Sequence, residues 1–372
     1  MRSRPIAAPA ASTTAPPPSP RSARPSGPAR ETILASSSLV VEPSGPLERL
    51  PAGVLVTDAV SVERYKPRRR SADVDVLFDY SDISFLASKA ELSTAVSPRS
   101  FLVARSLPPS TAARPFIGFA EHSPSSGDRL AASGQVQVGN ACSANVATIR
   151  DYLVQAKPIS RDEVKLASAA LGFPDAPLVA GQDFTDEAVQ GRDDLDQYQV
   201  LHFATHGLEE GVWGCAKSPP ALITSIQDAN SDGLLSFDEI ARLRLDANLV
   251  VLSACETASG VKDEALARQS GQEEAGSTLE GLVRAFLTAN ARAVLATYWQ
   301  VSAGEETNEL VRTLYTSARQ QTIGASLQTA QRKLMTTPEF SHPFYWGAYF
   351  VVGDSSKMML SPDSGTVRTA SR

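Results

Sequence analysis

The stretch that decides the fold is "YQVLHFATHG", residues 198–207. Its first seven residues are mostly apolar and β-branched or aromatic, which predicts a strand buried on both faces. The second of its two histidines, His206, lies just past this strand and directly before Gly207. Because glycine permits a sharp turn and a close approach of other groups to the backbone, we expect His206 at a reactive strand end. His202 lies inside the run, and we expect a buried core histidine with a hydrogen-bond partner.

Apolar runs alternate with helical periods on both sides of this stretch. The predicted strands are a run within 38–51 that leaves into a Pro/Ser/Gly turn, and the runs 100–107, 116–123, 198–204, 248–254, 291–299 and 344–353. The amphipathic periods predicted as helices cover 161–172, 278–290, 304–320 and 323–336. This alternation predicts an α/β fold, with a mostly parallel sheet covered by helices on both faces. Reactive groups in such sheets collect beyond the carboxyl ends of the strands.

A second apolar run, "NLVVLSA" at 248–254, leads directly into Cys255. Cysteine attacks acyl carbons as the thiolate, which an adjacent imidazole makes available by taking the thiol proton. His206 and Cys255 are therefore the candidate catalytic pair, 49 residues apart. The backbone N–H groups of Gly207 and Cys255 are candidate donors to an oxyanion. The alternative is that Cys255 is inert, since unreactive cysteines are usually buried.

The remaining cysteines and histidines are assigned weaker roles. Cys142, Cys215 and Cys255 are widely spaced and odd in number, which favours free thiols and a cytoplasmic location. Cys215 is interpreted as a loop thiol. His342 is expected to be structural. No Cys/His cluster has the spacing of a zinc site.

Composition excludes two classes of partner. The net charge is −6, which argues against nucleic acid and anionic membranes as partners. No run of about 18 apolar residues is present, so the sequence predicts no membrane span. The proline- and arginine-rich start of the chain predicts a disordered leader, and a targeting signal is the alternative. The predicted segments are the leader (1–32), the first part of the globular region (33–150), the catalytic core (151–354) and a flexible tail (355–372).

A further motif, "DANSDGLLSFDE" at 228–239, matches the calcium loop of an EF-hand. The candidate calcium ligands are Asp228, Asn230, Asp232, Ser236 and Glu239. The segment before the loop contains two prolines and does not predict the usual entering helix. The alternative is a glycine turn followed by a capped helix, with no ion bound. The predicted Cys-His chemistry requires no cofactor, so calcium is at most a possible regulator.

Several segments together resemble one family. "HFATHG", "VVLSACETASG", "EGLVRAFLTANARAVLATYWQVS" and "HPFYWGAYFVVGD" occur in order. They are similar to successive motifs of the CHAT domain family, caspase-like cysteine peptidases related to separase, and the similarity covers about residues 33–354. The resemblance implies a caspase-hemoglobinase-like sheet and hydrolysis of peptide bonds in a protein substrate through a thioester. It implies His206 and Cys255 as the Cys-His dyad.

The chain departs from the family pattern at its start. Members often carry tetratricopeptide repeats ahead of the peptidase, where this sequence has the predicted leader. We therefore expect a regulatory or repeat-containing partner in trans. Two alternative functions stay open: a catalytically silent interaction or scaffold domain, with or without a response to calcium, and acyl transfer to an amine. The acidic segment 181–197 is either a surface that favours basic residues in the substrate or a solvated loop. The preference for the residue before the cleaved bond therefore stays open.

Overall fold

The computed structural model of the chain describes residues 28–44, 47, 50–123, 135–138, 142–145, 156–208, 219–226, 232–253, 277–299, 301 and 304–361. The described strands are β1 (Ser38–Val41), β2 (Glu91–Thr94), β3 (Arg114–His122), β4 (Gln135–Val138), β5 (Cys142–Asn145), β6 (Leu178–Gly181), β7 (Tyr198–Ala204), β8 (Gly207–Leu208), β9 (Ala221–Ile223), β10 (Leu234–Ser236), β11 (Leu249–Leu252), β12 (Ala293–Thr297) and β13 (Tyr349–Gly353). The described α-helices are α1 (Pro28–Ala35), α2 (Ala59–Tyr65), α3 (Val74–Leu77), α4 (Pro98–Ser106), α5 (Arg161–Leu171), α6 (Asp186–Gln190), α7 (Phe237–Ile240), α8 (Ser277–Thr288), α9 (Glu305–Ser317), α10 (Ile323–Met335) and α11 (Pro343–Trp346).

Eight strands form the main sheet, in the order β1-β2-β13-β12-β11-β7-β3-β6. All neighbouring pairs are parallel except β12 and β13, which are antiparallel. The predicted mostly parallel α/β sheet is confirmed. The carboxyl ends of β3, β6, β7, β11 and β12 therefore lie along one edge of the sheet. The sheet combines strands from residues 33–150 and 151–354.

Helices cover both faces of this sheet, as predicted. Strand β7 shows why, since its seven residues are all buried and successive side chains point to opposite faces. Val200 and Ala204 pack in a core with residues of α5, α9 and α10. Leu201 and Phe203 pack in a second core with residues of α7 and α8. Strand β7 is thus packed between two separate hydrophobic cores, one on each face of the sheet.

Helix α5 forms as the sequence predicts. The Ser160 side chain accepts a hydrogen bond from the backbone N–H of Asp162 and caps the helix start. The helix ends at Gly172, whose φ of 107° lies in the left-handed region that glycine adopts at little cost. This helix matters for the site because residues 156–160, which lead into it, contact two histidines.

Two predicted strands are wrong in whole or in part. Residues 100–107 lie mostly in helix α4, because Ser97 and Ser100 form a capping box and Pro98 occupies the first turn. Residues 344–353 form a strand only in their second half. Pro343 begins the short helix α11, whose start is capped by the side chain of His342, and β13 follows.

Some predictions concern residues outside the described ranges. These are the leader up to residue 27, the tail from residue 362, and the side chains of Cys215 and Cys255. Across the described part of the chain, the longest helices have 13 residues, and none has both the length and the apolar character of a membrane span.

Candidate functional site

The pairing of β7 with β11 sets the geometry of the candidate site. The strands are parallel, and residues 200–203 of β7 each pair with the residue 49 positions later, ending with Phe203 and Leu252. One further bond extends the ladder, since the Ser253 N–H donates to the Phe203 carbonyl at 2.9 Å. Cys255 follows His206 by the same 49 residues. Cys255 itself lies two residues beyond the last described residue of this segment.

His206 is held by a backbone carbonyl. Its Nε2 lies 2.6 Å from the carbonyl oxygen of Lys157, in the segment that leads into α5. A carbonyl oxygen only accepts hydrogen bonds, so Nε2 carries the proton and donates it. The neutral ring therefore has Nδ1 as its proton acceptor. The His206 side chain is only 6% exposed, which fixes the ring in this orientation.

A second imidazole, which the sequence analysis did not select, lies beside His206. The rings of His122 and His206 pack edge to face, with centroids 5.7 Å apart. The His122 Nε2 lies 3.1 Å from the carbonyl oxygen of Ala156, the residue before Lys157. The two histidines thus contact the backbone carbonyl groups of two consecutive residues, Ala156 and Lys157.

The backbone of β3 explains how His122 reaches this position. The pairing of β3 with β6 shifts register between Ala120 and His122, and Glu121 has a φ of 57°. A non-glycine residue in this left-handed region is uncommon and is costly to hold. Arg161 forms an ion pair with the Glu121 carboxylate at this bulge. A signal was present in the sequence, since His122, like His206, ends a predicted strand.

The pairing of β8 with β9 sets the direction of the Gly207 backbone N–H. Gly207 pairs with Leu222 in the antiparallel ladder of β8 and β9, and Ile223 N–H donates to the His206 carbonyl at 2.8 Å. This pattern makes Gly207 and Leu222 a non-hydrogen-bonded pair. The Gly207 N–H therefore points away from β9.

The two other histidines have the structural environments that we expected. His202 is fully buried, and its Nδ1 lies 3.0 Å from the hydroxyl of Tyr315. The His342 side chain accepts a hydrogen bond from the Phe344 N–H at the start of α11. Burial lowers the pKa of His342, which favours the neutral ring that this capping bond requires.

The described part of the candidate calcium loop forms a capped turn. Gly233 has a φ of 77°, and the Asp232 carboxylate accepts the Leu234 N–H at 2.9 Å. The Glu239 carboxylate accepts both the backbone N–H and the hydroxyl of Ser236, as in a capping box. Asp228 and Asn230 lie outside the described residues.

Burial and neighbouring acids oppose the ionisation of Asp232. Burial, and then the negative charges of Asp186 and Glu239, raise the pKa of Asp232 to about 7. Within the described ranges, no group of three or more His, Cys, Asp or Glu side chains is placed to hold a metal ion. Calcium binding stays a prediction.

The acidic segment 181–197 is partly used inside the fold. Asp194 forms ion pairs with Arg114 and Arg192, and Asp186 is buried. These contacts lower the pKa of Asp194 although its partial burial opposes them. Two of the acids are therefore engaged in structure, and the substrate preference stays open.

Comparison with known proteins finds two sequence relatives that share a name. The chain is 29% identical over 237 residues to mouse (Mus musculus) tetratricopeptide repeat protein 28 and 26% identical over 238 residues to the human (Homo sapiens) protein of the same name. Each match covers 56% of this chain but 9% of the relative, so the chain corresponds to a small part of those proteins.

Among solved structures, the Arg-specific cysteine proteinase gingipain R is similar, with a TM-score of 0.39 and 10% identity over 73% of this chain and 55% of the other. The Saccharomyces cerevisiae separase–securin complex is similar with a TM-score of 0.38 and 11% identity, over 79% of this chain and 15% of the other. The CHAT domain model matches residues 25–354, which is most of the sequence. The chain therefore belongs to the CHAT domain family.

Proposed function

We propose that the protein is a cysteine endopeptidase that cleaves peptide bonds of a protein substrate, with Cys255 as nucleophile and His206 as acid and base. The observation that carries the proposal is the register of β7 and β11. Neighbouring strands lie about 4.8 Å apart, and the 49-residue offset of Phe203 and Leu252 is also the offset of His206 and Cys255. A chain that leaves both strands in this register brings the imidazole and the thiol side by side.

The hydrogen bond of His206 to Lys157 supports one nitrogen, Nδ1, as the acid and base in each step. Because Nε2–H donates to the Lys157 carbonyl, Nδ1 takes the proton of the Cys255 thiol as sulfur attacks the substrate carbonyl carbon. The same nitrogen then protonates the leaving amine, and a thioester remains on Cys255. In the second half, Nδ1 takes a proton from water as the water attacks the thioester, and it returns that proton to the sulfur when the C–S bond breaks, which releases the acid and restores the thiol. The Lys157 carbonyl stabilises the imidazolium that forms in both halves.

The charge on the substrate carbonyl oxygen needs donors in the transition state. We assign the backbone N–H of Gly207, which points away from β9, and the backbone N–H of Cys255. Such donors commonly contribute about 3–4 kcal/mol each to transition-state stabilisation. Because both are main-chain groups, their position depends on the turns after β7 and β11.

His122 supports this arrangement through the segment 156–157. Substituting His122 with leucine removes the donor to the Ala156 carbonyl and loosens the adjacent Lys157 carbonyl that orients His206. We expect kcat to fall about fivefold, because small misplacement of a catalytic group is costly. Steady-state kinetics on a cleaved peptide measure the effect. His122→Gln, which retains an N–H donor, is expected to stay nearer the wild-type rate, and equal rates for all three proteins would contradict this role.

A covalent label tests the proposed nucleophile without knowledge of the natural substrate. Peptidyl acyloxymethyl ketones react with catalytic thiolates, and a small library with varied terminal residues covers the open preference. The thiolate displaces the carboxylate of the inhibitor, so we expect the intact mass to rise by one peptidyl methyl ketone group and peptide mapping to place that group on Cys255. Modification of Cys142 or Cys215 instead, or none with any member of the library, would reject Cys255 as the nucleophile.

We also propose that a repeat-containing partner recruits the substrate or regulates the site. The curated relatives are named for tetratricopeptide repeats, and this chain matches 9% of their length. A partner that binds in trans would supply the recruiting surface.

A further inference from the structure

A buried polar network lies beneath the candidate site, on the face of the sheet that α5 and α9 cover. Its centre is His202 of β7, which has no exposed surface. The His202 Nδ1 lies 3.0 Å from the Tyr315 hydroxyl of α9, and Nε2 lies 3.3 Å from the Ser253 hydroxyl. Glu163 of α5 places a carboxylate oxygen 3.3 Å from the same Nε2. One side chain thus contacts three elements around the end of β11.

The surroundings determine where the proton of His202 lies. Burial, and then the negative charge of Glu163, raise the pKa of Tyr315 well above its usual value, so the phenol stays protonated and donates to Nδ1. A carboxylate beside Nε2 favours a proton on that nitrogen, and the Nε2–H then donates to the Ser253 hydroxyl. His202 is therefore assigned as the Nε2–H tautomer.

Simple core packing does not explain this arrangement. Neighbouring positions on this face of the sheet carry apolar residues such as Val200 and Val251. The Glu163 Oε1 is buried and lies 3.3 Å from the His202 Nε2 without completing a hydrogen bond among the described residues, which is costly to maintain. A buried polar network at one point of an otherwise apolar core indicates that His202 does more than fill space.

We infer that His202 is a positioning residue, which fixes the Ser253 side chain and thereby the direction in which the chain leaves β11 toward Cys255. The inference rests on the proposed function, because Cys255 must be the nucleophile for its approach to matter. Ser253 is the point of control, since its N–H is fixed by the Phe203 carbonyl and its hydroxyl by His202. Cys255 follows two residues later.

Two substitutions of His202 separate the two sides of the network. His202→Gln retains a side-chain N–H that reaches the position of Nε2 and so serves Ser253. His202→Asn is shorter and retains a polar group only near the position of Nδ1, beside Tyr315. Tyr315→Phe removes the opposite bond alone, and Ser253→Ala removes the contact that the inference requires.

The measurement is the rate at which iodoacetamide alkylates Cys255 in the full chain at pH 7, resolved from Cys142 and Cys215 by peptide mass. We expect His202→Asn and Ser253→Ala to lower this rate about tenfold, because the thiol and the base are no longer aligned. His202→Gln and Tyr315→Phe are expected to stay within about threefold of wild type. Because unfolding would also separate the thiol from its base, each variant is checked by circular dichroism, and a lowered rate counts only where the wild-type spectrum is retained.

His206→Ala serves as the reference for the dyad. If His206→Ala lowers the rate of Cys255 alkylation while His202→Asn and Ser253→Ala react at the wild-type rate, the positioning role of His202 is overturned and the dyad stands. Equal effects of His202→Gln and His202→Asn would likewise overturn the role, because retention of the Nε2 donor would then make no difference. If His206→Ala leaves the rate unchanged, the dyad fails and the positioning role fails with it.

Discussion

Cleavage of a peptide library by the wild-type chain is expected to be lost in Cys255→Ala, with a fall in kcat of at least about 10⁴-fold. Alanine cannot form the thioester, so no part of the proposed route remains. His206→Asn is expected to lower kcat about 10³-fold, because the thiol keeps its proton and the leaving amine is not protonated. Both effects should lie in kcat, since neither group is assigned to substrate binding. Cleavage sites read by mass spectrometry give the rates and the substrate preference together.

His342→Asn is the matched control for His206→Asn. The same imidazole is lost, but asparagine also serves as a helix cap, so α11 keeps its start. This variant should cleave at the wild-type rate. Cleavage that survives Cys255→Ala would reject the nucleophile. Silence of the wild type, with and without a repeat-containing partner, would favour a scaffold, and products extended by an added amine would identify acyl transfer.

The sheet could be predicted where apolar runs are continuous. Tyr198–Ala204 and Leu249–Leu252 are strands because both faces of each are buried, and no capping signal competes with that pattern. Residues 100–107 were misassigned because "FLV" favours a strand by composition. Ser97 and Pro98, just outside that run, start helix α4 instead. Local capping outweighed the β-propensity of three residues.

The candidate site was only partly predictable, because its geometry depends on contacts between distant segments. The sequence places His206 and Cys255 at strand ends, but the register that gives both pairs the same offset arises from the packing of β7 on β11. Sequence periodicity also gives no sign of the bulge at Glu121 that brings His122 to His206. Burial of His202 was predictable, whereas its contact with Ser253 was not.

Asp232→Asn is expected to stabilise the protein at pH 8 by roughly 2–3 kcal/mol and to have little effect near pH 4. The folded-state pKa of Asp232 is about 7, above the ordinary value of 3.8. The fold therefore favours the protonated carboxyl, and its ionisation destabilises the fold progressively as pH rises from about 4 to 7. The full difference in pKa corresponds to roughly 4 kcal/mol in the free energy of unfolding. Partial access of the Asp232 carboxylate to water reduces this value. Urea unfolding at the two pH values measures the change.

The same variant decides between the two interpretations of the loop. Asparagine keeps the oxygen that accepts the Leu234 N–H, so the turn is preserved and only the charge is lost. Asp193→Asn, at an exposed position, is the control and should change stability little at either pH. If the loop binds calcium, millimolar calcium should raise the melting temperature of the wild type at pH 8 and leave Asp232→Asn unchanged. If the capped turn alone accounts for the motif, calcium should change the melting temperature of neither protein. The stabilisation of Asp232→Asn at pH 8 then comes only from removal of the carboxylate charge.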